Sequence, residues 1–170
     1  MNKQEYTIRA LKELPDKIKK NSAAILKYLR RLRDRNPGKL DERFRDVHDA
    51  VFEKYDCLSC AGCCRTTSPK FLDRDIVRIS KYLSMHPKTF RLQYLKVDED
   101  NDFVLNNIPC RFLENDNSCF IYPDRPKACA DYPHTDSRNM RGLLMVTYRN
   151  TSICPAVYEI VNEIMKIFPL

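Results

Sequence analysis

Four cysteines lie within eight residues of this chain, and this cluster limits its possible folds more than any other feature. Residues 56–65 read D-C-L-S-C-A-G-C-C-R and supply the thiols of Cys57, Cys60, Cys63 and Cys64. Two overlapping C-x2-C spacings allow one turn of backbone to direct successive sulfurs at one point, as a metal ion with thiolate ligands requires. Four more cysteines follow, namely Cys110, Cys119, Cys129 and Cys154. We therefore predict that one or two metal centres fasten the later segments to the first.

Disulfides explain these cysteines less well than metal ligation does. A chain of 170 residues can bury an ordinary core without depending on disulfides. Its first residues carry charges every few positions, and no uncharged apolar run approaches the roughly 20 residues that span a bilayer. We therefore expect a soluble, cytoplasmic protein with no membrane contact, in a compartment where thiols stay reduced.

The glycines argue against nucleotide-dependent enzymes. Only Gly38, Gly62 and Gly142 occur, and none belongs to a pair with the spacing of a phosphate-binding loop. Such loops need glycine where backbone N–H groups approach phosphates, so neither a P-loop nor a dinucleotide site is expected.

Positive charge is concentrated before the cysteine cluster. Residues 1–55 contain 15 lysines and arginines against 9 acids, which is +6 of the chain's +7. A patch for nucleic acid or an acidic protein partner could form there, but without interleaved aromatic residues or a recognisable nucleic-acid module a solvated helix face is the favoured interpretation. Its members are Lys17, Lys19, Lys20, Lys27, Arg30, Arg31, Arg33 and Arg35.

Apolar spacing predicts an α+β fold that is mostly helical, with basic N-terminal helices in residues 1–54 and a small cysteine-rich, metal-stapled domain in residues 55–170. A helix is expected from Asp16, after Pro15, to Asn36, and a second from about Asp41. Further helices are expected at residues 72–83, after Pro87, around Cys129 and after Pro155. Short strands are expected at residues 103–105 and 143–148, and a β-hairpin from residues 110–113 and 119–122.

The cysteine-rich region resembles a known family, the zinc- or iron-chelating CxxCxxCC domains, which include YkgJ-like proteins and the cysteine region of flagellin lysine N-methylases. The likeness spans about residues 55–160 and is carried by C57-x2-C60-x2-C63-C64, C110-R-F-L, C119-F-I-Y-P-D-R-P-K-A-C129-A-D-Y-P and Cys154. It implies a metal ion chelated through these eight cysteines. It identifies the domain better than its task, and leaves zinc and iron equally open.

Chemistry keeps two interpretations of the centre. Eight thiolates equal two sets of four, and closed zinc–thiolate sites act as fold clamps worth on the order of 10 kcal/mol. Cys57-x2-Cys60-x2-Cys63 also matches the opening of a ferredoxin run, and Cys154-Pro155 resembles the Cys-Pro that ends such a run. The departure is that Cys64 follows Cys63 immediately, whereas a ferredoxin run has three residues before its last cysteine. The alternative function is therefore an iron–sulfur enzyme or electron-transfer component, related by the resemblance to protein-lysine methylation. Because neighbouring side chains usually diverge, Cys63 and Cys64 are expected to point apart.

Several other residues are candidates for supporting roles. Cys154 is expected at a helix N-terminus, where the partial positive charge would lower its thiol pKa. Arg125, between two prolines of the family motif, is the best candidate for offsetting the charge of a thiolate site. His134 could replace a cysteine as ligand, whereas His86 suits a helix start and His48 a core or surface position. The other basic residues beside ligands are Arg65, Arg111 and Lys127.

Overall fold

The computed structural model describes all 170 residues and confirms an α+β, mostly helical fold. The chain divides into two compact units, a helical unit (Met1–Cys60 with Pro133–Leu170) and a mixed unit (Ala61–Tyr132). In chain order the elements are α1 Lys3–Arg35, α2 Leu40–Phe52, α3 Cys57–Cys60, α4 Gly62–Thr66, β1 Lys70–Phe71, α5 Asp73–Tyr82, α6 Pro87–Tyr94, β2 Leu95–Val97, β3 Phe103–Leu105, α7 Lys127–Ala130, α8 Met140–Thr151 and α9 Pro155–Ile167. No helix combines the length and the apolar character needed to cross a bilayer.

Helix α1 begins much earlier than the sequence interpretation placed it. The Asn2 side chain accepts a hydrogen bond from the Glu5 N–H at 2.8 Å, and the Glu5 carboxylate accepts one from the Asn2 N–H at 3.0 Å. This reciprocal cap satisfies two donors that a helix start otherwise leaves unpaired. The helix then continues through Pro15 and ends where Asn36 adopts a left-handed conformation with φ 42°. The predicted start at Asp16 is therefore wrong.

The helical unit is built around the apolar faces of α1, α2, α8 and α9. Helix α1 contributes Ile25, Leu29 and Leu32, all fully buried. The apolar faces of α2 and α9 are likewise turned into this core. Their buried members include Phe44, Val51, Val157, Ile160, Val161 and Ile164.

The strand predicted at residues 143–148 is wrong, because this segment lies in α8. Asn139 caps the helix by accepting a hydrogen bond from the Gly142 N–H at 3.2 Å. Buried Met140, Leu144, Thr147 and Thr151 then recur at helical spacing. A short apolar run fits either state, and here burial against neighbouring helices selects the helix.

The mixed unit combines α5 and α6 with a three-stranded antiparallel sheet in the order β1-β3-β2. The predicted strand at Phe103–Leu105 is confirmed as its central strand, β3. The predicted helices after Leu72 and Pro87 are also confirmed, and His86 caps α6 by accepting a hydrogen bond from the Lys88 N–H at 3.1 Å. The core contains Phe71, Ile76, Ile79, Phe90, Leu95, Leu105, Phe112 and Ile121.

The predicted hairpin is present only as a turn with one antiparallel bridge, Leu113 to Cys119. The Phe120 N–H donates across it to the Phe112 carbonyl at 2.8 Å. Most other donors of the two arms bond locally, as in Tyr122 N–H to the Cys119 carbonyl at 3.0 Å. Successive tight turns therefore replace the expected pair of strands.

Candidate metal centre

Asp56 organises the first pair of cysteines. Its carboxylate accepts hydrogen bonds from the Leu58 N–H at 3.1 Å and from the Ser59 hydroxyl at 2.5 Å. These contacts cap the short helix α3, which carries Cys57 and Cys60. Cys57 is exposed, and the other seven cysteines are partly buried.

The second pair, Cys63 and Cys64, occupies the next helical turn, α4. Ala61 precedes it in a left-handed conformation, with φ 46°. The two sulfur atoms lie 3.9 Å apart, so the expectation that these side chains point apart is wrong. Neighbours on a helix diverge by about 100° rather than by the 180° of a strand, which leaves long side chains able to meet.

The mixed unit holds a group of four thiols: Cys64 in α4, Cys110 and Cys119 in the turn that replaces the hairpin, and Cys129 in α7. The Cys110 N–H donates to the Cys64 carbonyl at 2.8 Å, which joins the segment after β3 to α4. Cys110 and Cys119 both pack against the core of this unit. Burial, together with negative charge on Cys64, Cys110 and Cys119, raises the pKa of the Cys129 thiol to about 12. These four thiols are therefore electrostatic neighbours.

The helical unit holds a second group, formed by Cys57, Cys60 and Cys154. Burial, together with thiolate charge on Cys60 and Cys57, raises the pKa of Cys154 to about 12. Cys154 does precede α9, as predicted, and the N–H groups of Val157 and Ala156 act to lower its pKa. The prediction of a lowered pKa is nevertheless wrong, because desolvation outweighs these donors.

Cys64 has the opposite electrostatic character. A hydrogen bond from the Cys63 thiol lowers its pKa to about 7, and the positive charge of Arg65 acts in the same direction. Burial instead raises the pKa of both Cys110 and Cys119. Of these thiols, Cys64 is therefore the one that most readily supplies a thiolate.

The basic residues beside the cysteines differ in what they contact. The Arg125 guanidinium lies 4.0 Å from the centre of the Tyr122 ring, and its charge partly opposes the burial that raises the pKa of Cys119 and Cys129. Arg111 instead stacks over Tyr94 at 5.9 Å, and Lys127 forms an ion pair with Asp131. Arg125 thus has the electrostatic influence on thiols that its motif position suggested.

Two of the three histidines, His48 and His134, lie in the helical unit. His48 Nδ1 is hydrogen-bonded with the Thr135 hydroxyl at 2.8 Å, and its ring contacts Phe52. His134 adopts a left-handed conformation with φ 68°. No three His, Cys, Asp or Glu side chains converge closely enough to hold a metal ion. The fit to a thiophilic metal comes from donor chemistry, because cysteine sulfur is a preferred ligand of such metals and seven of the eight cysteines fall into the two groups above.

A family model now accounts for this arrangement. The model CxxCxxCC, described as a putative zinc- or iron-chelating domain, matches residues 56–155. The chain belongs to the CxxCxxCC family. All eight cysteines lie inside the matched region, whereas nearly all of α1, α2 and α9 lie outside it. No curated protein and no solved structure matches the chain.

Proposed function

We propose that the protein binds zinc or iron through its eight cysteines and that the metal stabilises its fold. The separation of the thiols into two neighbourhoods within one CxxCxxCC domain supports this proposal most strongly. One group is Cys57, Cys60 and Cys154, and the other is Cys64, Cys110, Cys119 and Cys129. Cys63, beside Cys64, is the eighth ligand. We keep the division into basic helices in residues 1–54, which share a core with α8 and α9, and a metal-binding domain in residues 55–170.

Zinc would act here as a structural metal. Thiolates bind zinc at about 2.3 Å, and a tetrahedral set closed to solvent carries no open position for chemistry. Because the ligands lie on segments that are far apart in sequence, the binding free energy of zinc would contribute to folding. Arg125 would offset some of the negative charge near Cys119 and Cys129. We also propose a cytoplasmic location, because cysteines stay reduced there and remain able to bind metal.

An iron–sulfur centre is the alternative from a different functional class. It is favoured by the run Cys57-x2-Cys60-x2-Cys63 and by Cys154-Pro155, the two features shared with ferredoxin-type ligation. Such a centre would make the protein an enzyme or an electron-transfer component. Its relation to protein-lysine methylation comes from the family resemblance alone.

Metal and sulfide analysis separates the two proposals. Protein purified without a metal-affinity tag and without oxygen should be colourless, with one or two zinc ions and no acid-labile sulfide, if the centre is structural. A brown protein with iron and sulfide would favour the iron–sulfur alternative. Absence of both metals would refute metal binding.

Cysteine variants test the ligands themselves. Cys57→Ser and Cys129→Ser should each release metal and lower the melting temperature by many degrees, because lost metal binding is lost folding free energy. Ser152→Ala, an exposed serine close to Cys154 in sequence, is the control and should retain all metal. Full metal content in Cys57→Ser with unchanged melting would refute that ligand.

We propose further that the second half of α1 binds the phosphate backbone of nucleic acid. Seven cations there are exposed, and Arg33 with Asp34, at 3.6 Å, is their ion pair. No exposed large apolar side chain lies between residues 19 and 35. This combination favours phosphates over an acidic protein, whose docking would usually bury apolar surface as well. The cations are Lys19, Lys20, Lys27, Arg30, Arg31, Arg33 and Arg35.

Salt-dependent binding tests this surface. Reversing Lys27, Arg30 and Arg31 to Glu should weaken retention on duplex DNA and RNA and reduce the salt slope by about 1 per lost phosphate contact. Reversing exposed Lys81, Lys88 and Lys96 of the mixed unit makes the same change in net charge and should have little effect. Equal retention on polyglutamate would favour an acidic protein partner, and no salt-sensitive retention would refute both.

A further inference from the structure

The start of α1 is joined to the cysteine segment by one buried side chain, Thr7. Its side chain lies on the face of α1 that contacts α3, and the residue is fully buried, with 0% exposure. The Thr7 hydroxyl donates to the Lys3 carbonyl at 2.8 Å and accepts a hydrogen bond from the Asp56 N–H at 2.9 Å. A hydroxyl can do both at once, and an apolar side chain of the same shape can do neither.

Helix α3 is short and has no apolar anchor of its own. It contains four residues, too few to be stable alone, because helix nucleation fixes several residues for a single hydrogen bond. Its apolar residue Leu58 is 54% exposed, so it provides no anchor in a core. The Asp56 side chain caps α3, and the Asp56 N–H is in turn bound by Thr7.

Tyr55, the residue before Asp56, contacts both α1 and α9. The Tyr6 and Tyr55 hydroxyls donate to Glu159 Oε2 at 2.7 and 3.0 Å, and their rings pack edge to face with centres 5.2 Å apart. Glu159 belongs to α9, which begins directly after Cys154. The segment that leads into Cys57 is therefore tied to α9, the same helix that begins after Cys154.

We propose that Thr7 is a positioning residue for the metal ligands Cys57 and Cys60. Its hydroxyl fixes the backbone at Asp56. It thereby sets the direction in which α3 presents Cys57 and Cys60 toward Cys154. Thr7 lies outside residues 56–155, so the N-terminal helix is a working part of the metal site and not only an appendage. The inference rests on the proposed metal binding by these cysteines.

Zinc release and cysteine protection test the role of Thr7. Zinc-loaded wild type, Thr7→Val and Thr7→Ser are challenged with a chelator, and freed thiols are alkylated and mapped by mass spectrometry. Residues that orient metal ligands typically contribute 10–100-fold in affinity, so we expect Thr7→Val to accelerate release of one zinc by about that factor. Alkylation should rise at Cys57, Cys60 and Cys154 alone, and Thr7→Ser should restore protection.

Each other result contradicts the inference in a recognisable way. Unchanged zinc release in Thr7→Val, or equally faster alkylation in both cysteine groups, would show that Thr7 supports only general stability. If Thr7→Val does not fold, Asp56→Ala carries the test, because it removes the α3 cap at a half-buried position and should give the same selective loss. Wild type in which zinc protects no cysteine would refute the proposed function, and this inference with it.

Discussion

At the scale of single residues, Glu159 is the polar centre of the helical unit. Its carboxylate accepts hydrogen bonds from Tyr6, Tyr55 and the Lys54 ammonium, the last at 2.9 Å. Burial acts to raise its pKa, but the three donors together outweigh burial and lower the pKa of Glu159 overall. A carboxylate with so many donors stays ionised in the folded protein and links three segments of the chain.

Glu159→Gln should destabilise the protein in a pH-dependent way. Because folding lowers this pKa, the charged form contributes stability above the unfolded pKa of about 4.3 and loses it as pH falls through the folded value. We expect the free energy of unfolding to fall by about 1–2 kcal/mol at pH 7, because the Lys54 ammonium then bonds to a neutral amide in place of a carboxylate. Denaturant unfolding between pH 3 and pH 7 measures the difference, which should shrink in acid.

The neighbouring Glu163 supplies the control for that experiment. It lies one turn further along α9 and pairs with Lys166 at 2.6 Å, with both side chains at least 41% exposed. Exposed pairs of this kind contribute little, so Glu163→Gln should change stability by less than about 0.5 kcal/mol. Equal losses in the two variants, or a Glu159→Gln loss independent of pH, would contradict the role assigned to the Glu159 carboxylate.

Residue identity was also where sequence reasoning was most informative about the site. All eight cysteines were predicted as ligands from residue type, spacing and the family resemblance, but their grouping depends on which segments the fold brings together. Thr7 was missed for a related reason, since one threonine in an amphipathic helix gives no sign of a partner 49 positions away. The capping role of Asp56 could have been predicted, because Asp before a short helix is a common cap.

At the scale of elements, helix termini were misjudged where a local signal was overlooked. The N-x-x-E pattern at Asn2 and Glu5 is a capping box and could have predicted the true start of α1. Pro15 was instead taken as the boundary. Proline inside a helix removes one hydrogen bond and usually costs about 3 kcal/mol, yet the burial of Leu14, Ile25 and Leu29 in the same helix holds the segments on both sides in place.

The errors at residues 143–148 and in the hairpin have a common physical origin. Leu143 and Met145 with the β-branched residues between Leu144 and Tyr148 suit a strand by composition, and only the neighbouring helices decide otherwise. In the hairpin, Pro123 and local turn bonds stop the second arm from pairing beyond Phe120. Tertiary burial decides the first case and turn chemistry the second, and a single-sequence pattern contains neither completely.

At the scale of the whole molecule, the two units differ in how much core each possesses. The helical unit packs α1, α2, α8 and α9 around one large cluster of buried residues, with Phe44 and Leu144 among those fully buried. The mixed unit has a smaller cluster, and its strands are two or three residues long. Domains below about 70–80 residues commonly need a metal or another staple to remain folded. Metal should therefore matter most to the mixed unit.

Hydrogen exchange after metal removal tests that difference. Zinc-loaded protein treated with a chelator should lose amide protection across Ala61–Tyr132, whereas α1, α8 and α9 should keep most of theirs, because their core does not depend on metal. Restored protection after zinc is added back would exclude irreversible damage as the cause. Uniform loss in both units would mean that metal binding and folding are coupled through the entire chain, and full protection of Ala61–Tyr132 without zinc would contradict a structural role for the Cys64, Cys110, Cys119 and Cys129 group.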